Sequence, residues 1–297
     1  MADPPAPEPD RSPAPMRLGI SPSASTRGAV EELAALAVEG GLDTLWLGDG
    51  YLDNADFALW AGGLENLTHL AWLAGRFPAA RIGSTALVLP LRDPAWVAKQ
   101  VTTLDQLTAG RYVAVVAPGF WPGEFAHRGL DFARRGERFD EHLDALIAAI
   151  RGEPFSGPHV ELPAEGRLSP EPWTPGGPPI WLAGGDPTMA KALARGLPFQ
   201  ASRRTPAQLA PLARRWFDAG GTQLAVRIRL QAGDAPAAGT DVDWQAVTGP
   251  ASALVDALGA YAELGVSDLS IVPGQSDVVS RRTVEVLVGE VLPQLGW

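Results

Sequence analysis

The run TLWLGDGYL sets one carboxylate, Asp49, between two glycines at the end of an apolar stretch. A charge placed there is costly to keep unless it moves a proton or anchors hydrogen bonds. The next residue is Gly50, so no imidazole stands beside it. A second group is Gly184-Gly185-Asp186-Pro187-Thr188, which joins an apolar run to a helical segment. Two glycines let a ligand approach the backbone, a helix start offers unpaired N–H groups, and Thr188 adds a hydroxyl, which together make a phosphate site. Asp186 reads as the N-cap, and its carboxylate competes for the same amides. A third group is cationic: Arg203-Arg204 after LPFQAS, and Arg227 and Arg229 alternating in TQLAVRIRL. Guanidiniums so grouped suit an anionic substrate or a phosphate tail. Finally, Pro118-Gly119-Phe120-Trp121 supplies two aromatic rings that either wall a ligand or cover a rim.

Composition removes several classes of function. Against 34 acidic residues stand 24 basic ones, a formal charge of -10 that repels nucleic-acid backbones and anionic membranes. With no cysteine, disulfides and thiolate chemistry are absent, and four scattered histidines lack zinc-ligand spacing. Asp49 stands almost alone among the strand ends, whereas glycoside hydrolysis needs two facing carboxylates. No apolar run is long enough to span a membrane, and the first residues lack the order of a signal peptide. A cytoplasmic protein is expected, with residues 1–15 a disordered Pro-rich tail before one domain over 16–297.

These groups need elements to position them. From Met16 onward, β-like runs alternate with amphipathic helical segments: MRLGIS, DTLWLGD, ARIGSTALVL, RYVAVVA, PIWLAGG, LPFQAS, TQLAVRIRL and DLSIVP each precede a helix. The pattern predicts an α/β fold, a (β/α)8 TIM barrel with inserted loops at its C-terminal face. Asp93-Pro94, Asp186-Pro187 and Thr205-Pro206 read as N-caps followed by Pro in the first helical turn. Residues just after strands then form the catalytic face. Barrel interiors are mostly apolar, so at least one of Arg227 and Arg229 is expected to point outward, which leaves Arg203 and Arg204 as the better anion ligands. The loops 120–138 and 153–178 are expected to build the substrate pocket. The segment ERFDEHLDAL reads as a solvated helix face, with His142 given no chemistry.

The segments Ile82 to Phe125, Gly129 to Leu143 and Pro178 to Phe199 resemble, in order and spacing, the bacterial luciferase-like monooxygenase superfamily. The resemblance implies a TIM barrel that uses FMN, or the deazaflavin coenzyme F420, for redox chemistry. It places a non-prolyl cis peptide at Thr85-Ala86, behind the flavin ring, and the cofactor phosphate at Gly184, Gly185 and Thr188. Gly119 falls at a further cofactor position, beside Pro118 where relatives carry a polar residue. Asp49 falls where relatives carry acidic or histidine residues, as the catalytic candidate, and Trp121, Arg203 and Arg204 are the substrate-side candidates. The implied activity is oxidation of a small organic substrate by O2 with reduced flavin from a separate reductase. Hydride transfer with deazaflavin and a noncatalytic flavin-binding homologue are the alternatives, and a homodimer is the implied assembly.

Overall fold

Near-continuous apolar strands such as YVAVVA bury both faces and so pair in parallel inside a ring of helices. A computed structural model describes residues 16–22, 24–50, 52, 63–233 and 246–296. The expected tail over 1–15 and the first part of the helical expectation after Asn54 lie outside these residues. The chain runs through β1 (Arg17–Ile20), α1 (Arg27–Glu39), β2 (Thr44–Leu47), α2 (Asn66–Arg76), β3 (Arg81–Val88), α3 (Pro94–Thr108) and β4 (Tyr112–Ala117). An inserted helix α4 (Pro122–His127) precedes α5 (Arg135–Arg151), and a hairpin of β5 (Phe155–Ser156) and β6 (Glu161–Leu162) follows. Next come β7 (Ile180–Ala183), α6 (Asp186–Arg195), β8 (Phe199–Ser202), α7 (Pro206–Asp218) and β9 (Leu224–Ala232). The chain ends with β10 (Ala246–Gly249), α8 (Ala251–Glu263), β11 (Val266–Val272), α9 (Asp277–Val286), a π-helical turn and α10 (Leu292–Leu295).

The strand order β9-β11-β1-β2-β3-β4-β7-β8 closes through the β9–β8 pair, and β10 adds outside β9. All these ladders are parallel, which makes the (β/α)8 barrel. In β9, Leu224, Val226, Ile228 and Leu230 pack into the layer between barrel and helices. Ala225 packs inside with Trp46, Val113, Val115, Trp181 and Ala183. Trp46 fits there because Gly83 faces it: a Cβ at Gly83 would lie 2.1 Å from the indole.

Alternation along β9 puts Arg227 and Arg229 on the face of Ala225, so both point inward and the expected outward arginine is absent. Above the tryptophans the interior is a cavity edged by polar groups, not a filled apolar layer, and it accepts guanidiniums. The segment 153–178 also departs from expectation. It joins α5 to β7, and such connections lie on the face opposite the site. Asp105 of α3 accepts from the Thr174 amide (2.7 Å) and hydroxyl (2.8 Å), and Gln106 donates to the Glu171 carbonyl (2.6 Å). The expected solvated face of α5 is partly buried: Arg138 donates to the Pro90 carbonyl at 2.9 Å, and the His142 ring lies 3.2 Å from the Leu89 carbonyl.

Candidate functional site

The carboxyl ends of β2, β3, β4, β7, β8 and β9 converge on a cavity of about 610 Å³. At the end of β3 the Thr85–Ala86 peptide is cis, and both residues face the cavity. The Thr85 hydroxyl donates to Gln200 Oε1 at 2.6 Å, which fixes the amide and leaves Gln200 Nε2 a buried donor with no partner among the described residues. Arg227 reaches across from β9 and donates to the Thr85 carbonyl.

Opposite stands the β7–α6 turn. A Cβ at Gly184 would fall 2.4 Å from Thr188 Oγ1, so that position holds glycine for lack of space. The N-cap is Gly185 and not Asp186, which corrects the expected Asp-Pro cap. Asp186 is the first helical residue, and its carboxylate turns to Arg215 of α7 at 3.1 Å. The hydrogen bonds from Arg215 hold the Asp186 carboxyl below its ordinary pKa. No carboxylate therefore competes at this helix start, where Pro187 has no amide and the Thr188 amide donates to the Gly185 carbonyl at 2.9 Å, which leaves the Thr188 hydroxyl as the side-chain donor. The other two expected caps form: Asp93 accepts from the Trp96 amide (2.9 Å), and Gln208 accepts from the Thr205 amide (3.0 Å).

Asp49 lines the cavity, but both of its oxygens are engaged. The Val88 amide donates to Oδ2 at 3.0 Å, and Arg92 donates to Oδ2 at 3.1 Å and to Oδ1 at 2.6 Å. Arg92 also holds Glu65 at 2.9 Å. Burial pulls the Arg92 pKa down, but the two carboxylates outweigh it and hold it above its ordinary value. This clamp ties the end of β2 to the end of β3, next to the cis peptide.

Gly119 has φ +84°, and a Cβ there would lie 2.7 Å from Val88, so the β4 loop presses tightly on the cavity wall. Its carbonyl accepts from Arg135 at 3.2 Å, and that guanidinium lies 3.9 Å from the Phe132 ring centroid. The cavity takes in Thr85, Ala86, Gly119, Gly184, Gly185, Thr188, Asp49 and Arg203 of the sequence-expected set. Trp121 and Arg204 do not line it. Trp121 precedes α4 and folds over Gly123, where a Cβ would lie 2.9 Å from the indole. The Arg204 charge acts on Asp186, and its carbonyl accepts the Tyr261 hydroxyl at 2.7 Å.

Sequence reasoning passed over Arg92, Arg135, Lys191, Gln200 and Ser202. Lys191 had a signal, because its i, i+3 spacing from Thr188 sets both on one helix face. So had Gln200, a lone amide within an apolar strand. Arg92 had none, since its partners lie 43 and 27 residues away in sequence. With Lys191 paired to Asp140, it is Arg135, Arg203 and Arg227 that give the lining a positive balance in an acidic chain.

Comparison with known proteins agrees with this geometry. The F420-dependent glucose-6-phosphate dehydrogenase of Amycolatopsis mediterranei is 30% identical over 61% of this chain and 55% of its own. The oxygenase component of the flavin-dependent trigonelline monooxygenase of Acinetobacter baylyi is 26% identical over 52% of this chain and 42% of its own. The chain thus spans about half the length of these curated relatives. The structure of monooxygenase RslO1 from Streptomyces bottropensis superposes with a TM-score of 0.77 at 17% identity, covering 94% of this chain and 99% of that one, which shows the shared fold. With the family's model matching residues 13–217, the chain belongs to the luciferase-like monooxygenase family.

Proposed function

We propose that the cavity holds FMN and that the protein is a monooxygenase acting on a small organic substrate. The observation that carries this is the pairing, across one cavity, of the Thr85–Ala86 cis wall with the glycine cradle at the start of α6. A volume of about 610 Å³ lies within the ~300–1,000 Å³ usual for ligand sites. Gly184, Gly185 and the Thr188 hydroxyl hold the phosphate at the start of α6, with Lys191, which is paired with Asp140, one turn behind. Thr85 and Ala86 back the ring, and Gly119 closes the side formed by β4. Bound in reduced form, the flavin supplies two electrons to O2, so that one oxygen atom enters the substrate and the other leaves as water. A separate reductase would deliver the reduced flavin, as the "oxygenase component" in a relative's name suggests.

Asp49 acts in this reading as a positioning residue, since its oxygens already accept from Val88 and Arg92. That supports oxygenation over hydride transfer with deazaflavin. Taking hydride from an alcohol needs a base for the hydroxyl proton, and among the described lining residues neither a histidine nor an uncommitted carboxylate is placed to serve. The test is to load the protein anaerobically with reduced FMN, admit 18O2, and offer a panel of small aldehydes and organic acids. Label in the product bears the proposal out. Oxygen-independent reduction of F420 by a substrate overturns it in favour of the deazaflavin route.

A further inference from the structure

The β8–β9 side of the cavity carries a polar cluster to which the proposed cofactor contacts assign no role. The strand register sets Ser202 beside Arg227 and Gln200 beside Ala225. Arg203 follows at once with φ +59°, a left-handed conformation uncommon outside glycine. Its amide donates to the Arg227 carbonyl at 2.9 Å. That turn parts two adjacent arginines: Arg203 lines the cavity with its guanidinium 5.5 Å from the Phe120 ring centroid, while the Arg204 charge acts on Asp186. Backbone in such a region persists where the surrounding structure holds it, and such positions cluster at ligand sites.

Two guanidiniums therefore share one wall with the Ser202 hydroxyl and with Gln200 Nε2, a donor on a residue only 1% exposed and unpartnered among the described residues. Burial first, and then the Arg203 charge, pushes the Arg227 pKa down to about 10, which still leaves it a cation at neutral pH. Asp49 is the carboxylate of the described lining, and Arg92 and Val88 occupy it. The wall is donor-rich and positive, and it begins on the strand beside the phosphate cradle, with Gln200 paired to Ala183, and extends from there to β9. Arg227 reaches Thr85, so the cluster borders the ring side of the cavity.

We propose that this wall is the substrate's anion subsite: the substrate is an organic acid, a carboxylate or a sulfonate, whose acid group takes Arg203, Gln200 Nε2 and Arg227. Its carbon chain lies against Phe120, Phe139 and Pro118, which supply the apolar lining. Planar forked guanidiniums and an amide N–H match the oxygens of such a group. The assignment deepens the monooxygenase reading and rests on it only for which end of the cavity faces the ring.

The experiment is calorimetric titration of the full chain, with and without FMN, using hexanoate, hexanesulfonate and 1-hexanol as probes. At least one acid should bind about tenfold or more tightly than the alcohol, the usual size of a charge-assisted contact. Arg203→Gln should abolish that preference while the 1-hexanol affinity stays the same, which also shows that the variant is folded. The proposal is overturned if neither acid exceeds the alcohol, or if Arg203→Gln leaves the preference intact. It is overturned too if Arg203→Gln weakens FMN by about tenfold and spares riboflavin, because the arginine then serves the cofactor phosphate. Acid preference in a chain that takes neither FMN nor F420 upholds the subsite and removes the cofactor reading.

Discussion

Substituting Asn for Asp49 separates a positioning role from proton transfer. The Asp49 carboxylate accepts from Val88 and twice from Arg92, with its side chain 6% exposed and that of Arg92 19% exposed. Asn keeps one oxygen for the Val88 amide but turns an NH2 group towards the guanidinium, donor against donor. Removing one partner of a buried ion pair costs about 3–5 kcal/mol. Glu65 remains for Arg92 at 2.9 Å, which brings the loss to about 3 kcal/mol. For a chain of this size that is a fall of roughly 6 °C in Tm. Arg92→Met should cost a similar amount, and the double variant should cost about 2 kcal/mol less than the sum. The assay is thermal unfolding followed by circular dichroism, with product formation measured on the same samples. Positioning predicts that Asp49→Asn and Arg92→Met lower Tm together and impair turnover in parallel. An Asp49→Asn protein with unchanged Tm and no turnover would refute this and make Asp49 the proton carrier.

Three further outcomes are expected. Gly83→Ala drives a Cβ to 2.1 Å from the Trp46 ring, and overpacking of this kind should lower Tm by roughly 2–6 °C; an unchanged Tm would mean that the barrel floor is looser than its geometry. Gly184→Ala displaces Thr188 from the cradle, so FMN affinity should fall about tenfold with riboflavin little affected, and equal losses would move the phosphate elsewhere. The third concerns Glu141, which accepts from the Val160 amide (2.9 Å) and the His159 ring (2.8 Å) and holds the β5–β6 hairpin on α5. Burial raises its pKa, but those hydrogen bonds outweigh it and hold the value below the ordinary one. A depressed folded value means that its contribution is complete above the unfolded value and is lost as pH falls through the folded one. Amide protection at His159 and Val160, measured against the intrinsic exchange rate at each pH, should fall as acidification passes below the ordinary glutamate range, while the barrel strands stay protected.

The barrel was legible because its strands are written locally. RYVAVVA and TQLAVRIRL announce themselves by apolar content and period, Asp93 caps α3 with its own side chain, and Gln208 reaches back to the Thr205 amide three residues away. What failed was long-range. Asp186 has every local mark of a cap, yet Arg215 of the next helix draws its carboxylate away and the cap passes to Gly185. Alternation in β9 set Arg227 and Arg229 on one face but could not say which face meets the interior, a question settled by Trp46, Trp181 and the cavity above them. Arg92 was invisible because its role exists only once the ends of β2 and β3 are adjacent. The segment 153–178 looked like a binding loop by composition, and only its place between helix and strand assigns it to the opposite face.

The central claim is the cofactor site, and equilibrium titration with FMN, riboflavin and F420, followed by flavin fluorescence, tests it most directly. FMN should bind with a Kd of about 10 μM or tighter, and riboflavin, lacking the phosphate held by Gly184, Gly185 and Thr188, about tenfold more weakly. A chain that binds F420 and not FMN would contradict the choice of cofactor, and one that binds none of the three would contradict the site.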